Sequence, residues 1–413
     1  LQGQENGCKT FYLYCNPKEI LYAHLDRVKE SFDRPDIIKI PLFVGNMAVA
    51  GSTRMQVTTV ELLVAGAALE AAAYKWMQQH LTEDELKVVN VAGKGALDLD
   101  AYADAHQDLL DQLSQGAALE GLTKAVELEY NTYMEKGLVT YLTHDYLLDI
   151  MTDTTERQPT FTLPPFKKFA DKNAQVSWAY VKDPLYPNTV AWQHLFRRPV
   201  KGLEWTKEDY IRMGADQQII NNPPKISGYQ VLDYNIGNEV DDSRYSRKPA
   251  RLLCMDINDS ANKDVLAWFN REKGNFSEGY VIRFGQISDQ VKNDKEILIP
   301  VELPRTCTDL MTHLLIKLSF NLMSTATMAK MGRVFGNWMV QVLPTNKKLI
   351  DRSSRIILNL ARTVPGHEDM TYEQAVEEFF ISYYNRKPED EYRESYVVET
   401  LRRLGFDPNA DIK

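Results

Sequence analysis

Cysteine is scarce in this sequence, and no two cysteines are spaced as a functional pair. The 413 residues include four, at Cys8, Cys15, Cys254 and Cys307. Because no C-x-x-C pair occurs, the sequence predicts neither a zinc site nor a disulfide framework. We predict no bound metal and no cofactor. Free thiols are typical of a reducing compartment, so we expect a cytoplasmic protein.

The sequence also lacks an excess of positive charge and a long apolar run. The formal net charge is −9 and the pI is near 5.5, which argues against nucleic acid or an anionic membrane surface as a partner. No apolar run approaches the roughly 20 residues of a membrane-spanning helix. The chain has no initial methionine and no recognisable signal peptide, and we expect it to start partway through a domain.

The most informative stretch is the segment 50–55, Ala-Gly-Ser-Thr-Arg-Met. It lies between a strand-like run, 37–40, and a helical pattern that extends to about Met77. Ser52 and Thr53 are good N-cap residues, and a helix N-terminus with Arg54 beside it suits a phosphate. The functional interpretation is a contact to phosphate or a sugar hydroxyl. The alternative is an ordinary helix cap with a solvated arginine.

Two further segments make the interpretation more specific. Residues 327–342 read Thr-Met-Ala-Lys-Met-Gly-Arg-Val-Phe-Gly-Asn-Trp-Met-Val-Gln-Val, and Thr-Asn-Lys-Lys-Leu follows at 345–349. Residues 151–161 read Met-Thr-Asp-Thr-Thr-Glu-Arg-Gln-Pro-Thr-Phe. With Gly-Ser-Thr-Arg-Met, these segments resemble, in order, motifs of the sugar isomerase domain family. That family includes the N-acetylmuramic acid 6-phosphate etherases and the glucokinase regulatory protein.

The resemblance implies an α/β fold of doubly wound, parallel-sheet sugar isomerase domains in tandem. We expect the C-terminal half of a first domain at 1–80, a helical linker at 81–116, a second domain at 117–343 and a C-terminal helical cap at 344–413. Strands are predicted near 9–15, 36–41, 137–143, 176–181, 252–257, 279–285 and 296–301. The family's first phosphate loop has no counterpart upstream of residue 9.

The resemblance also implies roles for individual residues. Glu156 matches the etherases' general acid–base residue and a sugar ligand of the regulatory relative, although it could be a surface glutamate. Ser260 is the nearest match to a phosphate-binding serine, with a simple helix cap as the alternative. Lys330 and Arg333 match basic residues near the ligand phosphate, or are cations at a helix C-terminus. We interpret the second domain's own phosphate loop, at 143–145, as degenerate because it has no glycine.

Two functions remain open on this basis, beside a purely structural role if the chain is a fragment with an incomplete pocket. The first is a non-catalytic phosphosugar-binding protein of the glucokinase regulatory protein type, with a sugar phosphate ligand and a sugar kinase or other protein as partner. The second is an enzyme, either a phosphosugar isomerase or an ether-cleaving lyase that uses Glu156. The etherases need a second glutamate, and no counterpart is visible after Phe161, where Pro164 and Pro165 stand. His144 and His313 are interpreted as satisfied, lone histidines.

Overall fold

The computed structural model describes residues 2–154, 161–202, 204–224, 227–258, 263–287, 293–386 and 394–410. The N-terminal region contains a two-stranded parallel sheet of β1 (Thr10–Tyr14) and β2 (Ile37–Pro41), with Thr10 opposite Ile37. Helices α1 (Gln2–Glu5), α2 (Lys18–His24) and α3 (Asp26–Asp33) precede or connect the strands. Both predicted strands are confirmed, but the connecting helix is broken at Leu25, which has an extended backbone conformation.

A long helix, α4 (Gln56–His80), follows the loop after β2. Helices α5 (Glu83–Val91), α6 (Leu99–Leu113) and α7 (Gly116–Met134) lead into the main sheet. By length and composition α4 could cross a membrane, with a mean window hydropathy of 1.4. Midway along α4, however, Glu70 is fully buried and bonded to Tyr102 and Thr306. One side of α4 is therefore packed in the protein interior.

The main sheet has five parallel strands in the order β4-β3-β5-β6-β7. The strands are β3 (Leu138–Leu142), β4 (Ala179–Lys182), β5 (Ala250–Ile257), β6 (Glu278–Gly285) and β7 (Glu296–Pro300). Every residue of β3 and β4 is buried, as expected for parallel strands covered on both faces. The predicted α/β class is confirmed. The strand order reverses between β3 and β5, which makes the carboxyl ends of these strands the expected ligand crevice.

Helices cover this sheet and supply most of its core. The helices that follow β3 in the chain, up to residue 330, are α8 (Leu147–Thr154), α9 (Asn188–Phe196), α10 (Lys207–Arg212), α11 (Gln217–Asn221), α12 (Lys263–Glu272) and α13 (Leu310–Lys330). Of these, α8, α12 and α13 contact strands of the sheet, as does α7. The buried side of α13 packs against α7 and α8. Gly121 of α7 allows close packing on β7, because a Cβ there would lie 1.9 Å from the carbonyl oxygen of Leu298.

The C-terminal region is helical and has an apolar cluster of its own. A small antiparallel pair, β8 (Val334–Phe335) and β9 (Trp338–Met339), precedes α14 (Lys347–Ala361), α15 (Tyr372–Asn385) and α16 (Tyr396–Arg403). Ile357, Phe379 and Val397 are fully buried in this cluster. The helical content agrees with the predicted cap, whereas the division into four regions and the tandem arrangement remain predictions.

The region predicted as a linker packs closely against its neighbours. Tyr102, Leu109 and Leu113 of α6 belong to the main apolar core. Helix α4 also approaches α13 closely, because a Cβ on Gly66 would lie 2.4 Å from Cδ1 of Leu310. The small side chains that dominate residues 65–73 of α4 permit this close approach. The N-terminal region is thus joined to the main sheet by side-chain packing along α4.

Candidate functional site

The three sequence segments that carry the resemblance come together around the loop before α4. The backbone N–H of Ala50 donates to the carbonyl of Asn337 at 2.8 Å. Arg54 Nη1 lies 3.0 Å from Asp153 Oδ1 and also donates to the Asp153 carbonyl at 3.3 Å. Arg333 donates to the carbonyl of Phe161. Segments separated by about a hundred residues or more are therefore neighbours, which makes residues 50–54, named here the Gly51 loop, a candidate site.

The predicted role of Ser52 and Thr53 as helix caps is wrong. Helix α4 begins at Gln56, and its N-cap position is Met55, which has no side-chain cap hydrogen bond. The chain instead makes a turn in which Ser52 N donates to Val49 O and Met55 N donates to Ser52 O. Ser52 is 6% exposed, whereas Thr53 is exposed. A role for either residue in ligand binding remains a prediction, without the capping geometry.

Two polar residues of α13 donate hydrogen bonds to the backbone of the Gly51 loop. Lys317 Nζ donates to the Arg54 carbonyl at 2.5 Å. Asn321 Nδ2 donates to the same carbonyl at 3.2 Å and to Asp153 Oδ1 at 2.8 Å. Lys317 is 5% exposed, and burial lowers its pKa, opposed by the nearby Asp153 carboxylate. Sequence reasoning missed this pair, although two polar residues four apart on an otherwise apolar helix face were a usable signal.

A third cation reaches the loop from α14. A Cβ placed on Gly51 would lie 2.5 Å from Nη2 of Arg352, so the guanidinium lies directly against the glycine backbone. Gly51 has φ +78°, which also favours glycine. Arg352 is half-buried, and burial lowers its pKa. Within the described part of the chain, it has neither a hydrogen-bond acceptor nor an ion-pair partner. No motif in the sequence pointed to Arg352, which lies three residues beyond the Thr-Asn-Lys-Lys-Leu segment.

The side chains around the loop favour an anion. Arg54, Lys317 and Arg352 are cationic, and Asp153 is the carboxylate paired with Arg54. The Arg54–Asp153 pair is mostly buried, with 18% and 3% of the two side chains exposed. Charges in such a setting are screened less than surface charges. Arg352 is therefore the cation best placed to accept a new anionic partner, and its planar fork suits a phosphate.

The other predicted site residues have different positions. Lys330 pairs with Glu127 and its Nζ lies 4.7 Å from the centre of the Tyr130 ring, so its contacts are on α7 and not on the Gly51 loop. Arg333 is buried and its guanidinium lies 5.0 Å from the centre of the Trp178 ring. Its hydrogen bond to the Phe161 carbonyl fixes the backbone at that residue. Glu156 and Ser260 lie outside the described residues. Asp153, three residues before Glu156, is at the Gly51 loop.

A cavity of about 420 Å³ lies at the carboxyl ends of β3, β5 and β6. Asp145 and Tyr146 follow β3, and Asn258 and Gln286 follow β5 and β6. Arg197, Arg305 and Asp309 also line it, so its charges are mixed. His313 is satisfied by Asp149 Oδ2 at 2.9 Å. The cavity occupies the crevice where the strand order reverses, but its charges favour phosphate less than the cations of the Gly51 loop do.

An apolar cavity of about 890 Å³ adjoins the Gly51 loop on the side of α6 and α13. Met55, Leu63, Leu110 and Leu322 are among its lining residues. His106 also lines it, and burial lowers the pKa of this histidine. Such a lining cannot neutralise an anion, whereas the cation Arg352 lies on the loop side.

No family model matches the chain. It is similar over short segments to proteins named N-acetylmuramic acid 6-phosphate etherase: 46% identical over 63 residues to that of Lactococcus lactis subsp. cremoris, strain MG1363. The identity is 44% over 68 residues for the protein of Synechococcus sp. CC9605 and 39% over 90 residues for that of Staphylococcus saprophyticus.

These alignments cover 15%, 16% and 22% of this chain and 19%, 22% and 28% of the respective relatives. The chain thus matches less than a third of the length of each. The predicted resemblance to the etherases is confirmed over these segments, whereas the resemblance to the glucokinase regulatory protein remains a prediction. The comparisons and the α/β fold together agree with a protein related in part to N-acetylmuramic acid 6-phosphate etherases.

Proposed function

We propose that the protein binds a sugar phosphate at the Gly51 loop. The observation that carries this proposal is that two distant motif segments contact that loop, at Ala50–Asn337 and Arg54–Asp153, and contact each other at Arg333–Phe161. The etherase names of the relatives support a phosphorylated sugar as the ligand class. In this proposal Arg352 and the loop backbone bind the phosphate, and the carboxylate of Glu156 binds sugar hydroxyl groups.

The position of Arg352 favours a regulatory role of the glucokinase regulatory protein type. Arg352 belongs to α14, the first helix of the C-terminal helical region. A phosphate that pairs with Arg352 links the ligand directly to that region, so ligand binding can change the position of α14. A protein partner such as a sugar kinase that contacts the helical region would then sense the ligand. This mechanism needs no catalytic residue.

The second candidate function is catalysis, as a phosphosugar isomerase or an ether-cleaving lyase. The names of the relatives favour the lyase. Glu156 would be the general acid or base, three residues beyond Asp153 at the loop. The absence of a sequence counterpart of the etherases' second glutamate opposes this function.

The Glu156→Gln variant distinguishes the two functions. For a binding protein, we expect affinity for a sugar phosphate to fall about tenfold, because glutamine retains only part of a charged hydrogen bond that contributes about 1.5–3 kcal/mol. For an enzyme, turnover should fall about a hundredfold or more. Calorimetric titration measures the first and an assay of ether cleavage or isomerisation measures the second. Glu83→Gln, at an exposed glutamate of α5, is the control. Unchanged affinity and activity in Glu156→Gln would remove Glu156 from the site.

A further inference from the structure

The cavity of about 420 Å³ at the carboxyl ends of β3, β5 and β6 has an unusual share of the chain's strained backbone. Within the described ranges, seven residues other than glycine have a positive φ. Four of them line this one cavity, with φ between +54° and +58°: Tyr146, Arg197, Asn258 and Asp309. Such conformations cost free energy, persist where the surrounding structure fixes them and cluster at ligand sites. Their convergence therefore indicates a built site.

A chain of hydrogen bonds in the cavity wall ends at Tyr146. The backbone N–H of Gln286 donates to Asn258 Oδ1 at 3.1 Å, and Asn258 Nδ2 donates to Thr312 Oγ1 at 3.2 Å. Burial raises the pKa of Tyr146 to about 12, and a hydrogen bond with the Thr312 hydroxyl opposes this rise. The phenol oxygen must accept that bond to have this effect, so Thr312 is the donor. Tyr146 keeps its own O–H hydrogen, for which the described residues offer no acceptor.

His313 lies beside this phenol and has one ring nitrogen left for a ligand. The centroids of the Tyr146 and His313 rings are 4.8 Å apart. His313 Nδ1 lies 2.9 Å from Asp149 Oδ2, and a carboxylate only accepts, so Nδ1 carries a hydrogen. The other nitrogen, Nε2, accepts a hydrogen bond in the neutral ring and donates one in the protonated ring. A hydroxyl group both donates and accepts, so it suits Nε2 in either state and also accepts from Tyr146.

The charged side chains of the cavity are already paired. Asp145 Oδ1 lies 3.5 Å from Arg197 Nη2. The carboxylate of Asp309 lies 2.9 Å from Lys94 Nζ and 3.7 Å from Arg305 Nε. The two aspartates and two arginines of the lining have formal charges that sum to zero. An ionised ligand would therefore have to displace one partner of an existing pair, whereas a neutral polar ligand displaces none.

We propose that this cavity binds a neutral, hydroxyl-rich small molecule of the size of an unphosphorylated monosaccharide. Its volume lies within the range of about 300–1,000 Å³ that is usual for small-molecule sites. The Tyr146 O–H donates to a ligand hydroxyl, and His313 Nε2 bonds the same hydroxyl or its neighbour. The cavity shares no lining residue with the Gly51 loop. This site is therefore additional to the proposed sugar phosphate site and does not depend on it.

Saturation-transfer NMR titrations with glucose, mannose and N-acetylglucosamine test this proposal. The wild type should bind at least one of these neutral sugars saturably. Tyr146→Phe removes only the O–H group and should bind that sugar about threefold to tenfold more weakly, the effect of one neutral hydrogen bond. Tyr229→Phe, at a tyrosine that is 75% exposed, is the matched control and should retain wild-type affinity. Binding of none of the three sugars, or wild-type affinity in Tyr146→Phe, would overturn the proposal.

Two variants of Thr312 test the positioning of the phenol. Thr312→Ser keeps the hydroxyl that donates to Tyr146 and should bind the sugar with wild-type affinity. Thr312→Val keeps the shape of the side chain without the hydroxyl and should bind about twofold to fivefold more weakly, because the phenol is no longer oriented. If Tyr146→Phe fails to give a cooperative thermal transition, this pair decides. Equal affinity in Thr312→Ser and Thr312→Val contradicts the site.

Discussion

Replacing Glu70 with alanine is expected to lower the free energy of unfolding by about 3 kcal/mol. Glu70 Oε1 accepts from Thr306 Oγ1 at 2.7 Å, from Thr308 Oγ1 at 2.5 Å and from the Thr308 N–H at 3.0 Å. Its Oε2 accepts from Tyr102 at 2.5 Å. Alanine leaves several of these buried donors without an acceptor, and each costs about 1–3 kcal/mol. Urea unfolding at neutral pH measures the loss.

The same glutamate makes the effect depend on pH. Burial alone raises the pKa of Glu70, but hydrogen bonds from Thr308, Tyr102 and Thr306 bring it below the ordinary value of 4.5. A carboxylate with a lowered folded-state pKa stabilises the protein above its unfolded-state pKa and loses this effect as pH falls through the folded-state value. The difference between wild type and Glu70→Ala should therefore be constant near neutral pH and shrink below about pH 4.5.

The exposed Glu120 of α7 is the matched control for Glu70. Glu120→Ala should change the free energy of unfolding by no more than about 0.5 kcal/mol, as surface substitutions usually do. Equal stability of Glu70→Ala and Glu120→Ala would contradict the view that this carboxylate joins α4 to α6 and to the start of α13.

The Gly51→Ala variant is expected to bind a sugar phosphate about tenfold to a hundredfold more weakly. The added Cβ would lie 2.5 Å from Arg352 Nη2, so the guanidinium must move away from the loop. The loss of a charged hydrogen bond to phosphate contributes about 1.5–3 kcal/mol. The methyl group also strains a backbone at φ +78°, by roughly 1–2 kcal/mol. Calorimetry measures the affinity and thermal unfolding measures the strain.

Gly214→Ala separates these two effects. Gly214 also has a positive φ, +67°, but a Cβ there would have no neighbour within 4 Å. It should show the backbone strain and retain wild-type affinity. Should Gly51→Ala match Gly214→Ala in both measurements, Arg352 would have no role in the ligand site.

Much of the α/β fold could be predicted from short-range patterns. The β-branched and aromatic runs predicted all seven longer strands; β1 is one residue shorter than predicted at each end and β2 one residue shorter at its start. The prediction that Ser52 and Thr53 cap the start of α4 was wrong, because capping preferences describe only local chemistry. In the structure, Lys317 and Asn321 bind the Arg54 carbonyl, and the chain turns at 51–55 before the helix begins. These partners are more than 260 residues away, so no local pattern contains them.

The segments that form the candidate site could be predicted from the sequence, but the arrangement of their side chains could not. The motif resemblance identified the Gly51 loop, the segment 151–161 and the segment 327–342, and these are neighbours. It did not identify Arg352, because the face of α14 that meets Gly51 depends on how the C-terminal helices pack. The role of Lys330 near the ligand phosphate stays a prediction, and in the structure its ion pair with Glu127 directs the side chain to α7.

Titration of the protein with a sugar phosphate and with the same sugar lacking the phosphate tests the central claim most directly. N-acetylmuramic acid 6-phosphate and glucosamine 6-phosphate are suitable probes, each compared with its free sugar by calorimetry. The account predicts that at least one phosphorylated sugar binds one per chain, that its free sugar binds at least tenfold more weakly, and that Arg352→Ala removes this difference. Equal affinity for the phosphorylated and free sugars, or a full phosphate preference in Arg352→Ala, would contradict it.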